Sequence, residues 1–197
     1  TYKVDVDGDL NVHWDIDANA VYLVYPGPFE DPRERAALVA FGNYLHQFIA
    51  RGQEIPTVTR ATYVTNTSYP LNALPFFVFA QPEKYRSPTD IANRIGILVD
   101  EAIASVDERM FQRIVGVFKA QIETSFLESE ADNYEIENRK VIGQHALNTG
   151  IKHYLREGMT TEEYVAMLDS ITYEEMTQFL ERDLAPSRRH VVTITKQ

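Results

Sequence analysis

Five histidines, His13, His46, His145, His153 and His190, have the widest chemical reach in this chain. An imidazole can ligate a metal or move a proton near neutral pH. A zinc hydrolase built on a helix needs two histidines within one turn and a carboxylate beside them, as in H-E-x-x-H or H-x-x-E-H. Neither order occurs in the sequence. His145 and His153 are eight residues apart, which on a continuous helix separates them by roughly 12 Å along the axis, too far for one ion. Asp5, Asp7 and Asp9 around Gly8 resemble the opening of a calcium loop, but the glycine is misplaced and no glutamate follows at the twelfth position, so an acidic hairpin turn is expected. The glutamate pairs Glu162-Glu163 and Glu174-Glu175 fall in predicted first helical turns, where carboxylates complement the dipole. Arg182, Arg188 and Arg189 cluster around a helix end, where cations are favoured for the opposite reason. There is no G-x-S-x-G elbow, Gly-rich phosphate loop or dinucleotide fingerprint. The triplet Asn66-Thr67-Ser68 bears on glycosylation only in a secretory pathway. The residues by themselves form no catalytic constellation and no metal site.

Composition narrows the class further. The chain has 197 residues, 29 acidic against 19 basic, no cysteine and 44% hydrophobic content. That length suits one domain with a core large enough to stand without disulfides or structural metal. A formal charge of −10 disfavours nucleic-acid backbones. No apolar run approaches the ~18 residues of a membrane-spanning helix. Without cysteine there is no thiolate nucleophile and no Cys-type zinc site. The chain opens on TYKVDV with neither an initiator methionine nor a signal peptide, which suggests a domain cut from a longer polypeptide.

The elements that would position these side chains can be read along the sequence. Residues 2–12 predict a hairpin about Asp7-Gly8, and Ala20 to Tyr25 a buried strand before Pro26-Gly27-Pro28. Asp31-Pro32 opens a helix whose apolar face carries Leu38, Phe41, Leu45, Phe48 and Ile49. It ends at Arg51-Gly52, with the glycine free to take a left-handed stop. Thr57 to Thr67 and Pro75 to Gln81 read as strands. Ser87-Pro88-Thr89-Asp90 starts a second helix, and Ser105-x-x-Glu108 predicts a capping box for a third. A polar stretch from Glu128 to Asn133 should end that helix before a less regular one carrying Tyr134, Ile136, Val141 and Ile142. Short helices follow over Thr161–Leu168 and Thr172–Leu184, and His190 to Thr195 forms a last strand after Pro186. The order predicts one α+β domain over residues 1–197: a two-layer sandwich of a mainly antiparallel sheet with helices on one face.

Several strings, in this order, resemble a domain of the insulinase/pitrilysin zinc metallopeptidase family. They are AALVAFGNYLHQFIARGQEIPTV, Leu74 to Gln81, Phe111-Gln112-Arg113, Ile171 to Leu180, and Leu184 to His190 with its valine-rich strand. The resemblance implies the domain fold seen in mitochondrial processing peptidase. It also implies a zinc-bound water in the N-terminal half of a longer protein, held by H-x-x-E-H. Lacking that motif, this chain would be a non-catalytic, metal-free C-terminal domain that closes the proteolytic chamber and helps bind peptide. Its partners would be a peptide substrate and the catalytic half, in the same chain or in another subunit. An inactive scaffold subunit that keeps the peptidase fold is the alternative. The family's helix-end arginine falls on Arg51, while Val58 occupies the place of its paired tyrosine. Tyr63 on the next strand is the candidate replacement, giving Arg51 and Tyr63 as the substrate-binding residues. Such a pair would donate to substrate backbone as an oxyanion hole does. Equally open is a plain helix-end role for Arg51, satisfying the last carbonyls. A bacterial periplasmic or cell-envelope location, or a cytoplasmic one, is compatible with the resemblance.

Overall fold

The structure, a computed structural model, describes residues 9–14, 19–52, 55, 59–64, 75–83, 86–131, 134–136, 139–141 and 157–196. Five strands form one sheet in the order β1–β7–β2–β4–β3: β1 is Leu10–Trp14, β2 Ala20–Tyr25, β3 Thr59–Val64, β4 Phe76–Pro82 and β7 His190–Lys196. Only the β1–β7 pair in this sheet is parallel; β2–β7, β2–β4 and β3–β4 are antiparallel. The helices are α1 Pro32–Arg51, α2 Pro88–Ala104, α3 Glu108–Ala131, α4 Thr161–Ser170 and α5 Tyr173–Asp183. This is the expected α+β sandwich with a mainly antiparallel sheet.

The pleat sorts the sheet into two unlike faces. Val21, Leu23 and Tyr25 of β2 lie opposite Ala80, Val78 and Phe76 of β4, and all six are essentially excluded from solvent. This face packs against the helices, with α2 touching β2, β4 and β7, and α1 touching β3. The alternate positions, Tyr22, Phe77, Phe79, Val192 and Ile194, are half-buried. There the Tyr22 ring sits 5.9 Å from Phe77 and 5.0 Å from Phe79. Burying the core side chains is the main source of stability, at about 1.5–3 kcal/mol for each large aliphatic or aromatic residue.

The Asp31 carboxylate accepts from the Arg33 amide at 2.8 Å, and Pro32 occupies the first turn, as the sequence predicts. The single apolar stripe predicted for α1 holds only for its second half. From Glu34 to Gly42 every residue is buried, because α2, α3, α4 and α5 all pack against this helix. Gly52 ends α1 with φ −66°, donating its amide to Phe48 O, so the expected left-handed stop is not used.

Three further expectations need correction. The third helix is capped by Asp107, whose carboxylate accepts from the Met110 amide at 2.6 Å. Ser105 instead closes α2, its hydroxyl donating to Ala102 O. α3 runs on through the polar stretch to Ala131, since glutamates are good helix formers. Tyr134 to Ile136 and Arg139 to Val141 form a two-stranded antiparallel ribbon, β5–β6, in place of a helix. There the alternation Tyr-x-Ile and the β-branched Val141 outweigh any helical period. The capping boxes at Thr160 and Thr172 each close reciprocally with Glu163 and Glu175. The hairpin predicted about Asp7-Gly8 lies outside the described residues.

Candidate functional site

α1, α2 and α3 enclose a groove of about 610 Å³, a size that takes a drug-sized ligand. Each helix contributes one face at i, i+3/i+4, i+7 spacing. From α1 come Tyr44, Phe48 and Arg51; from α2, Arg94, Leu98 and Glu101; from α3, Met110, Arg113, Val117 and Phe118. The floor is apolar and aromatic. Phe41, Tyr44 and Phe48 form a ladder with centroids 6.0 and 5.8 Å apart. Tyr44 is fixed at its far end by a 2.8 Å hydrogen bond with Ser105 Oγ. Because the serine proton already goes to Ala102 O, the phenol is the donor.

Arg51 is exposed in the last turn of α1, on the rim of this groove. Tyr63 belongs to the edge strand β3, where it pairs with Phe79. Among the described residues the groove lining comes from α1, Gly52, α2 and α3, so Arg51 and Tyr63 stand in different layers of the domain and the groove does not join them. Val58 lies outside the described residues. Arg113 was visible in the sequence only as part of a family-like string, and Arg94 carried no signal beyond its helical spacing from Leu98 and Glu101.

A second charged cluster lies at the opposite end of α1. Arg182 Nη2 donates to Glu34 Oε1 at 2.6 Å and to Asp183 Oδ2 at 2.8 Å, and Arg188 donates to Asp183 Oδ1 at 2.6 Å and to Pro26 O at 2.9 Å. Burial, reinforced by the neighbouring Asp183 carboxylate, pushes Glu34 up to about 7. Burial would also raise Asp183, but its hydrogen bonds from Arg182 and Glu34 outweigh this and hold it below the usual range. Nearby, Arg35 donates to Glu157 at 2.7 Å, with side chains only 7% and 3% exposed, and to Phe29 O and Glu30 O. The contacts to Glu34, Pro26 and Glu157 join chain segments far apart in sequence, and those to Phe29 and Glu30 close the turn before α1, so the cluster works as a structural tie. On the sheet, Arg189 donates to Tyr25 Oη at 3.0 Å and pairs with Asp100, yet burial still lifts the Tyr25 phenol to about 12.

Among the described residues no three His, Asp or Glu side chains converge to hold a metal ion. His46 is exposed on α1, and His13 Nδ1 lies 2.7 Å from Thr195 Oγ1. His145 and His153 fall outside the described residues. No helix among the described residues is long and apolar enough to cross a membrane.

No family model matches the chain, and no curated protein matches it. Solved structures do. A protease from Helicobacter pylori superposes with TM-score 0.67 at 13% identity, over 96% of this chain and 44% of that one. The periplasmic protease PqqL from Escherichia coli gives 0.63 at 12% identity, over 96% of this chain and 20% of that one. A peptidase M16 inactive domain from Pseudomonas fluorescens gives 0.57 at 13% identity, over 96% and 43%. The chain therefore has the domain fold of M16, insulinase-type peptidases, and it spans less than half the length of each of these relatives.

Proposed function

We propose that this chain is the metal-free C-terminal domain of an insulinase-type zinc peptidase, closing the proteolytic chamber and helping to hold peptide substrate. The observation that carries the reading is the pairing of an M16 peptidase domain fold with a sequence that lacks H-x-x-E-H. An M16 inactive domain with the same fold supports a non-catalytic role. Zinc and the attacking water would then belong to a catalytic half in the same polypeptide or in a partner subunit. Arg51 and Tyr63 are the proposed peptide contacts. Arg51 would offer a planar, permanently charged donor from the groove rim. Tyr63 would act from the edge strand, where an extended peptide can add to the sheet. The likeness to a periplasmic protease supports a periplasmic or envelope location.

The test is elemental analysis of the purified chain together with incubation against an unstructured peptide. The expected result is no bound zinc and no turnover. Stoichiometric zinc, or cleavage abolished by a chelator, would overturn the assignment. If the chain is an inactive scaffold, it will co-purify with a subunit that itself lacks H-x-x-E-H.

A further inference from the structure

The groove of α1, α2 and α3 gathers guanidinium groups beside an apolar, aromatic floor. Arg33, Arg35, Arg182, Arg188 and Arg189 are each held by a carboxylate. Arg51 and Arg113 are exposed on the groove and make no ion pair with a described residue. Arg94, which has a contact of its own, also lines the groove, and Glu101 is the one carboxylate of the lining. A cationic recess is thus set into a chain whose formal charge is −10. Among the described residues three large apolar side chains are strongly exposed, and one of them lines the groove. Val117, 43% exposed, lines the groove, and Ile97, 47% exposed, stands on α2 between Arg94 and Glu101.

We propose that this groove binds an acidic peptide segment anchored by bulky apolar side chains. The apolar residues would lie over Tyr44, Phe48 and Val117, with flanking carboxylates reaching Arg51 and Arg113. Two considerations select this occupant. Exposed apolar side chains rimmed by charge mark a recognition surface. Arg51 and Arg113 stand on separate helices, α1 and α3, beside the apolar floor, so a segment with acids on both sides of its apolar anchors meets both features together. An amphipathic segment lying in a groove between helices is an established mode of peptide capture. The proposal names the substrate class for the peptide contact assigned to Arg51 and rests on that reading.

The experiment measures fluorescence anisotropy of a short labelled peptide, in which glutamates flank a leucine–phenylalanine pair, titrated with the intact chain. The same peptide with lysines replacing the glutamates, and one with the anchors replaced by serines, serve as comparisons. The acidic peptide should bind at least ~10-fold more tightly than either, and weaken as salt is raised. R51Q and R113Q, both exposed and so expected to fold normally, should each weaken binding roughly threefold, and the double variant about tenfold. Equal binding of the lysine peptide, no binding of the acidic one, or unchanged affinity in the double variant would overturn the proposal. Displacement of the acidic peptide by dodecanoate with indifference to the anchors would also overturn it, as a site for small amphiphiles. These outcomes leave the metal-free peptidase reading standing, because that reading fails only on zinc content or turnover.

Discussion

At one end of α1, Arg35 is sealed between Glu157 and two backbone carbonyls; about 24 Å away at the other end, Arg51 lies open on an apolar groove. The helix carries the same side chain in two opposed roles. Where α3, α4 and α5 close over the first turns, a charge survives only because its partners were buried with it. Where the groove leaves the last turn open, water solvates the cation, and no internal acid is needed. The buried end is tied into the fold, and the open end is the one the proposed peptide contact uses. Paired and desolvated arginines tie segments together, while exposed ones beside apolar surface remain available for recognition.

The largest way to break the comparison is at the buried end. R35A removes one half of a buried ion pair and the donor to two carbonyls, so urea unfolding should show a loss of about 3–5 kcal/mol. A loss within experimental error would mean that the corner is far wetter than its burial implies. Next is the proton on Glu34. Its pKa is raised in the fold, so its contribution is fully present below about 4.5 and is lost as pH rises through about 7. Asp183 has its opposite dependence at lower pH, where stability falls as its lowered pKa is passed. The unfolding free energy should therefore decline between pH 5 and pH 7.5 by on the order of 1–2 kcal/mol, a figure discounted for the exposure of Arg182, and E34Q should flatten that slope. A T172A change comes third. It removes a helix cap worth about 1 kcal/mol, the hydroxyl that accepts from the Glu175 amide, beside the carboxylate that holds Arg33. The smallest effect belongs to the open end, where R51Q should shift stability by less than about 0.5 kcal/mol. A larger loss there would return Arg51 to the role of a helix-end cation and remove the contrast.

Features decided within a few residues are visible in the sequence, and those decided by packing across the fold are not. Caps such as Asp31, Thr160 and Thr172 are decided within four residues, so the sequence shows them. The misassigned cap of α3 turned on whether Ser105 or Asp107 supplies the oxygen. That depended on Ala102 O and Tyr44 already occupying the serine, a contact reaching across 61 positions. The all-round burial of the first half of α1 was invisible for the same reason, since local periodicity records one face and says nothing about how many helices gather around it. The ribbon at Tyr134–Val141 was misread because three-residue strands are too short for alternation to outvote a neighbouring helical pattern. At the groove, the family resemblance points to Arg51 alone. Arg94 and Arg113 were missed because only the packing of three helices brings their faces to one recess. The placement of Arg51 and Tyr63 in separate layers likewise needed the topology.

The parallel pairing of β1 with β7 has a consequence for the order of assembly. Leu10 lies against Val192, a separation of 182 residues, whereas β2 and β4 meet across a much shorter excursion of chain. Closing the longer excursion costs only about 1 kcal/mol more in chain entropy, but it cannot be repaid until the strands and helices between are already in place. β1 should therefore dock last in refolding and leave first. In native hydrogen exchange, the amides of Leu10–Trp14 should open without disturbing those of β2 and β4, so that the sheet behaves as a durable centre with one late-joining border.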